Sequence, residues 1–211
     1  AWKNVLGLPL VGSANDVSNR INSGSTTKTV TATNAVASSA QSNFYGGSYY
    51  FDGSGDYLNA GTSTDFVFGT GQFTIEGWVY NQSYNGSNGG TGDSYPSIIS
   101  AFSGGTVNWI WRIYRTGALT WYNPNGGGTN NNSADGLTQL NTWYHVAYVR
   151  EGTGANQFKM YLNGILVHTL TDSIDYTANE TVVIGSQSAS NPRNYHTGYL
   201  QDLRIYKGVA K

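Results

Sequence analysis

Apolar and polar positions alternate along much of this 211-residue chain. A period of two is the pattern of a strand with unlike faces. In "TWYHVAYVR", residues 142–150, Trp143, His145, Ala147 and Val149 share one face, and Tyr144, Val146, Tyr148 and Arg150 share the other. His145 and Arg150 therefore point to opposite sides and cannot act on one substrate. Both faces carry apolar groups, so alternation leaves open which one turns inward. The same reading predicts strands in "KTVTAT", "SYYF", "DYLNA", "QFTIEGWVY", "SIISAF", "VNWIWRIYR", "ALTWYN", "QFKMYLN", "ILVHTL", "TVVIG" and "GYLQDLRIYK". A helical period of useful length occurs nowhere. A dozen strands with turns between them imply an antiparallel sandwich or barrel, because a parallel sheet would need crossover helices.

Two hairpins are specified locally. Asn163-Gly164 between "FKMYL" and "ILVHTL" suits a two-residue type I′ turn, since both residues tolerate positive φ. Thr116-Gly117 joins "WIWRIYR" to "ALTWY" in the same manner with weaker turn chemistry. Residues 81–96 ("NQSYNGSNGGTGDSYP") and 123–136 ("NPNGGGTNNNSADG") read as long polar loops, the kind that often carries function.

Composition narrows the function classes. Eleven Lys and Arg against twelve Asp and Glu give a formal net charge of −1, without a basic cluster, so nucleic acid is discounted as a partner. The absence of cysteine excludes disulfides, thiolate metal sites and a cysteine nucleophile. No apolar run is long enough to cross a bilayer, and "AWKNVLGLPL" lacks the features of a secretory leader. A soluble chain without membrane insertion is expected, either a mature product or a piece of something longer.

The ordered set "YYFDGSGDYLNAG", "FTIEGWVY", "TWYHVAYVREG", "MYLNG", "VVIG" and "GYLQDLRIYKGVAK" resembles the laminin-G-like, concanavalin-A-like lectin/glucanase superfamily, in the branch common in phage virion and bacterial surface proteins. The likeness covers roughly residues 44–211, and "LPLVGSANDVSN" is similar to the family's opening strand and turn. The resemblance implies an all-β, antiparallel two-sheet jelly-roll sandwich, used for carbohydrate binding or adhesion and often stabilised by calcium. It also implies that residues 1–211 form a single domain, a module of a longer polypeptide, located extracellularly on a virion or cell surface. Asp202 in "LQDLRIYK" matches the position of a carboxylate ligand in relatives, Gly47 that of a carbonyl ligand, and Asp16 is a third contributor from the opening turn. Oxygen ligands of this kind suit a structural Ca²⁺. The alternative is that Asp202 only hydrogen-bonds a neighbouring loop.

Catalysis finds little support. Retaining glycoside hydrolysis needs two carboxylates about 5 Å apart. The strand "QFTIEGWVY" offers Glu76 alone, with Gln72, Thr74, Trp78 and Tyr80 on its face, and the other two Glu, 151 and 180, fall in or beside turns. His145, His168 and His196 lack metal-ligand spacing, and there is no G-x-S-x-G elbow.

A binding role rests on aromatic residues near loops. Trp121, Tyr122 and Asn123 open the 123–136 loop, Tyr84 and Tyr95 flank the 81–96 loop, and Arg193, Tyr195 and His196 lie in "SNPRNYHTG". Sugar rings stack on Trp or Tyr while amides and guanidinium groups satisfy the hydroxyls. The other reading is that these rings cap the core. Trp121 and Tyr122 are consecutive, so one points inward and the other is the candidate platform. The expected function is a non-catalytic carbohydrate-binding or adhesion domain whose partner is a glycan or host-surface polysaccharide. The alternatives are a structural module contacting sister chains, and a glycan hydrolase.

Overall fold

The computed structural model describes residues 2–21, 24–86, 95–103, 106–123 and 129–211. Within them, fifteen strands form two antiparallel sheets. One sheet contains β1 (Lys3–Leu8), β3 (Val36–Ser38), β4 (Ser48–Asp52), β6 (Phe73–Ser83), β11 (Trp143–Arg150), β12 (Phe158–Leu162), β13 (Ile165–Leu170) and β15 (Thr197–Lys207). Its order is β13-β12-β11-β6-β15-β4-β3, with β1 also beside β15. The other sheet contains β2 (Thr31–Thr33), β5 (Tyr57–Thr62), β7 (Ser97–Ser103), β8 (Thr106–Ile113), β9 (Leu119–Asn123), β10 (Thr129–Asn132) and β14 (Thr181–Ile184), ordered β10-β9-β8-β7-β14-β5-β2. The architecture is the concanavalin-A-like jelly-roll sandwich that the resemblance implies.

All twelve expected strands are present, and three lie outside that set. β1 falls just ahead of "LPLVGSANDVSN" rather than within it. β3 is a three-residue edge strand. β10 occupies part of the 123–136 segment, where four polar residues pair with β9 without any apolar signal. Residues 87–94 and 124–128 of the two long polar segments lie outside the described residues.

Burial settles the parity of β11. Val146, Tyr148 and Arg150 are at 0% exposure, whereas Trp143 and His145 stay partly exposed. An arginine can hold a core position here because its donors meet carbonyls. Nε reaches Gly71 at 2.9 Å, Nη1 Ile174 at 2.8 Å, and Nη2 both Gly69 and Gly71 at 2.5 and 2.7 Å. The guanidinium also lies 4.7 Å from the Phe73 ring centre and 4.9 Å from that of Tyr176. Asn163 and Gly164 take φ of 51° and 79°, and Leu162 pairs with Ile165, so this hairpin is the predicted two-residue turn. The Thr116-Gly117 turn is wider. Tyr114 donates to the Ala118 carbonyl at 2.8 Å, leaving three residues in the loop with Gly117 at φ 79°. A Cβ on Gly117 would stand 2.4 Å from the Thr138 carbonyl oxygen, which reserves the position for glycine.

Between the sheets lies an aromatic core. Trp121 stacks on Trp109 at 5.6 Å and 10°, and packs against Phe158 at 4.9 Å and Tyr148 at 5.6 Å. Burying rings of this size contributes about 1.5–3 kcal/mol each before chain entropy is counted.

Candidate functional site

Alternation along β8 and β9 builds the site. Trp109, Trp111 and Ile113 turn into the core, as do Leu119 and Trp121. The opposite parity therefore carries Ile110 and Arg112 on β8, and Thr120 and Tyr122 on β9. Ile110 pairs with Tyr122 and Arg112 with Thr120. Phe102, Ile110 and the half-buried Tyr122 form a small apolar cluster on this outer face.

Arg112 sits beside that cluster, 5% exposed. Its guanidinium carbon lies 4.6 Å from the Tyr122 ring centre and 5.5 Å from that of Tyr95. Tyr95 in turn stacks on Tyr114 at 4.7 Å and 16°. Arg112 Nη2 donates to Gln187 Oε1 at 2.9 Å, and the same oxygen accepts from Asn194 Nδ2 at 2.6 Å. The Gln187 amide nitrogen donates to the Arg193 carbonyl at 2.9 Å, which brings Arg193 to the same place. Burial pulls the Arg112 pKa down to about 10, against the favourable Tyr122 and Tyr95 phenols, and the like charge of Arg193 lowers it further. Arg112 is thus a cation at neutral pH. Arg112 Nε is buried and has no hydrogen-bond partner among the described residues.

Of the eight residues expected to bind sugar, Tyr95, Tyr122 and Arg193 meet around Arg112. The other five go elsewhere. Trp121 is at 0% exposure and its Nε1 donates to the Tyr176 hydroxyl at 3.2 Å, so it presents no ring face to a ligand. Asn123 is buried beside it, donating to Asp172 Oδ1 at 3.3 Å and the Tyr176 hydroxyl at 3.4 Å. Tyr84 packs against the core with its hydroxyl 3.0 Å from Thr138 Oγ1. Tyr195 lies by Tyr57 and Asp56, and its pKa is raised by burial and then by those two groups. His196 is wholly buried against Phe51, and desolvation lowers its pKa to about 3. Arg112 and Gln187 escaped the sequence reading. The available signal was one arginine inside "NWIWRIY", on the parity opposite to three core side chains.

Glu76 lies on the outer face of the other sheet. It lines a depression of about 340 Å³ with His145, Ala147, Tyr161, Gly164 and Lys211. Its Oε2 is 3.5 Å from His145 Nε2. Burial opposes ionisation of Glu76, but the hydrogen bond and charge of His145, with the charges of Arg204 and Lys211, hold its pKa below the usual value. A depressed carboxyl surrounded by cations is poorly suited to act as the general acid of glycoside hydrolysis, which needs a raised pKa.

The three calcium candidates each carry hydrogen bonds of their own. Asp16 accepts from Gly7 N at 3.0 Å, Ser18 N and Ser18 Oγ at 2.9 Å each, and Lys28 N at 2.8 Å. Asp202, at a bulge with φ 51°, takes both Arg204 Nε and Nη2 at 2.8 and 2.7 Å. The Gly47 carbonyl accepts from Gln201 Nε2 at 2.5 Å, as does the Phe44 carbonyl at 2.5 Å. Gln201 Oε1 accepts from the Asn43 and Phe44 amides at 3.2 and 3.3 Å, completing a side-chain clamp on this loop. The oxygens proposed as ligands are occupied by N–H and O–H donors, and no group of three His, Cys, Asp or Glu able to hold a metal occurs among the described residues.

Comparison with known proteins agrees with this fold. The chain aligns over its full length with domain 4 of AbnA, an extracellular GH43 arabinanase of Geobacillus stearothermophilus solved with arabinotriose, at TM-score 0.63 and 16% identity, covering 95% of that domain. The botulinum neurotoxin serotype G binding domain matches 99% of the chain at TM-score 0.69 and 16% identity. The binding domain of Paraclostridial Mosquitocidal Protein 1 matches 99% at TM-score 0.70 and 13% identity. The chain spans 48% and 50% of those two toxin chains. At such identities the likeness is one of fold. No curated protein sequence matches significantly. A laminin-G-type family model described as "Concanavalin A-like lectin/glucanases superfamily" matches residues 52–210, well over half the sequence, and the chain belongs to that superfamily.

Proposed function

We propose that the chain is a non-catalytic glycan-binding domain working outside the cell, on a virion or cell surface. The observation that carries this reading is the convergence of Tyr95 and Tyr122 on Arg112, with Gln187, Arg193 and Asn194 beside them. Phenol faces suit the C–H faces of a sugar, and guanidinium and amide groups suit its hydroxyls. The non-catalytic part of this reading is supported by Glu76, whose electrostatic partners among the described residues are the cationic groups of His145, Arg204 and Lys211. The solved domain with arabinotriose shows that this fold can accommodate an oligosaccharide, and supports the reading by analogy only.

A shallow site of this kind binds weakly, so display in several copies raises its hold on a surface. The test is a glycan array probed with the protein in multivalent form, followed by titration of the best ligand into Tyr122→Ala. Loss of the stacking face is expected to reduce affinity by on the order of 1 kcal/mol, about fivefold. An array without ligands would favour a purely structural module contacting sister chains.

A further inference from the structure

Arg112 is an unusual residue to find under a sugar-binding surface. A buried cation is costly unless it is paired and its donors are met. Arg150 shows the satisfied case in the same protein, with four hydrogen bonds to three carbonyls. Among the described residues Arg112 has one acceptor, Gln187 Oε1, and that oxygen is shared with Asn194 Nδ2. Its Nε is buried without a partner among the described residues. No described carboxylate forms an ion pair with it; the ion pairs of the described residues involve Lys28, His145, Lys159 and Arg204. The neighbour that bears a charge is Arg193, of like sign, which the Gln187–Arg193 backbone bond holds close and which is partly exposed.

Two arginines brought near each other, with no acid between them among the described residues, are an arrangement that an anion completes. The tyrosines attract the Arg112 charge through their faces but cannot accept from Nε. A carboxylate or sulfate can set two acceptor oxygens in the plane a guanidinium presents, and such bonds are about twice as strong as neutral ones. Arg193 stands at the surface, and Tyr95 and Tyr122 flank the approach.

We propose that this site selects an anionic glycan, one bearing a carboxylate or a sulfate ester, through Arg193 and Arg112, with the sugar ring against Tyr122. The proposal rests on the glycan-binding reading above and adds the substrate class. Carboxylates and sulfates share the relevant chemistry, and separate arms of the test distinguish them.

The experiment compares matched glycans: uronate- or sialate-containing oligosaccharides against their carboxyl-reduced forms, and sulfated ones against their desulfated forms. Binding is measured by calorimetry at fixed low salt for the wild type, Arg193→Gln and Arg112→Gln. The acidic member of at least one pair should bind about tenfold or more tightly, as expected for a charge-assisted bidentate contact. The acidic-over-neutral preference should vanish in Arg193→Gln, a change at a partly exposed position, even where affinity for both members falls. Arg112→Gln should behave alike if circular dichroism shows it folded. Equal binding of acidic and neutral members, or a preference that survives Arg193→Gln, overturns the anion proposal and leaves glycan binding standing. No binding to any member overturns both.

Discussion

Two adjacent residues, Trp121 and Tyr122, should respond to truncation in opposite ways. Trp121 is fully buried among Trp109, Tyr148, Phe158 and Phe73, and donates to Tyr176. Trp121→Ala removes a whole ring from a packed core, a change that costs about 3–5 kcal/mol. In a protein of this size each kcal/mol moves Tm by about 2–4 °C, so a fall of roughly 6–20 °C is expected. Tyr122 is half-buried on the outer face and touches Ile110, Phe102 and Arg112. Its truncation should cost on the order of 1 kcal/mol, a few degrees, while weakening glycan binding. Scanning calorimetry of the wild type and both variants reads the two shifts side by side. A Trp121→Ala variant that melts within about 2 °C of wild type, below the expected range, would refute the placement of Trp121 in the core. So would one that stays folded and loses binding while Tyr122→Ala binds normally.

Three further outcomes are expected. His196 is held neutral, with its pKa lowered from the ordinary histidine value to about 3 by burial, so the unfolded chain takes up a proton before the native one does. Stability from this group is complete above about pH 6.5 and is lost as pH falls toward 3, by on the order of 1 kcal/mol per pH unit. Denaturant unfolding of His196→Asn should show a shallower acid slope than wild type, and identical slopes would contradict the assignment. Gln201→Ala strips the Gly47 and Phe44 carbonyls of their donor and should lower stability by about 1–3 kcal/mol, whereas chelator should leave the wild-type Tm unchanged; a drop on chelation would place an ion on that loop. Incubation with polysaccharides should release no reducing ends, and a release abolished in Glu76→Gln would overturn the non-catalytic reading.

The legible parts of the sequence were those governed by local rules. Period-two alternation located β2 and the strands from β4 to β15 except β10, and Asn163-Gly164 specified its turn, because both signals act within a few residues. β10 was invisible since Thr129–Asn132 is polar throughout and pairs at a sheet edge by hydrogen bonds without apolar burial. Sequence gave the opposite parities of Trp121 and Tyr122 but not their sign, which depends on where the second sheet lies. Arg112 was overlooked because its hydrogen-bond partner, Gln187, is 75 residues away. The Gln201 clamp was hidden for a related reason, since only the bulge in β15 reveals that the residue beside Asp202 donates to the Gly47 carbonyl.

The central claim is a location, so a crystal structure of the protein with its tightest array-selected glycan tests it most directly. The account predicts a sugar ring stacked on Tyr122, with Arg193 and Arg112 on its polar or acidic group. A sugar lying instead across Glu76, Trp78 and His145, on the outer face of the opposite sheet, would contradict it.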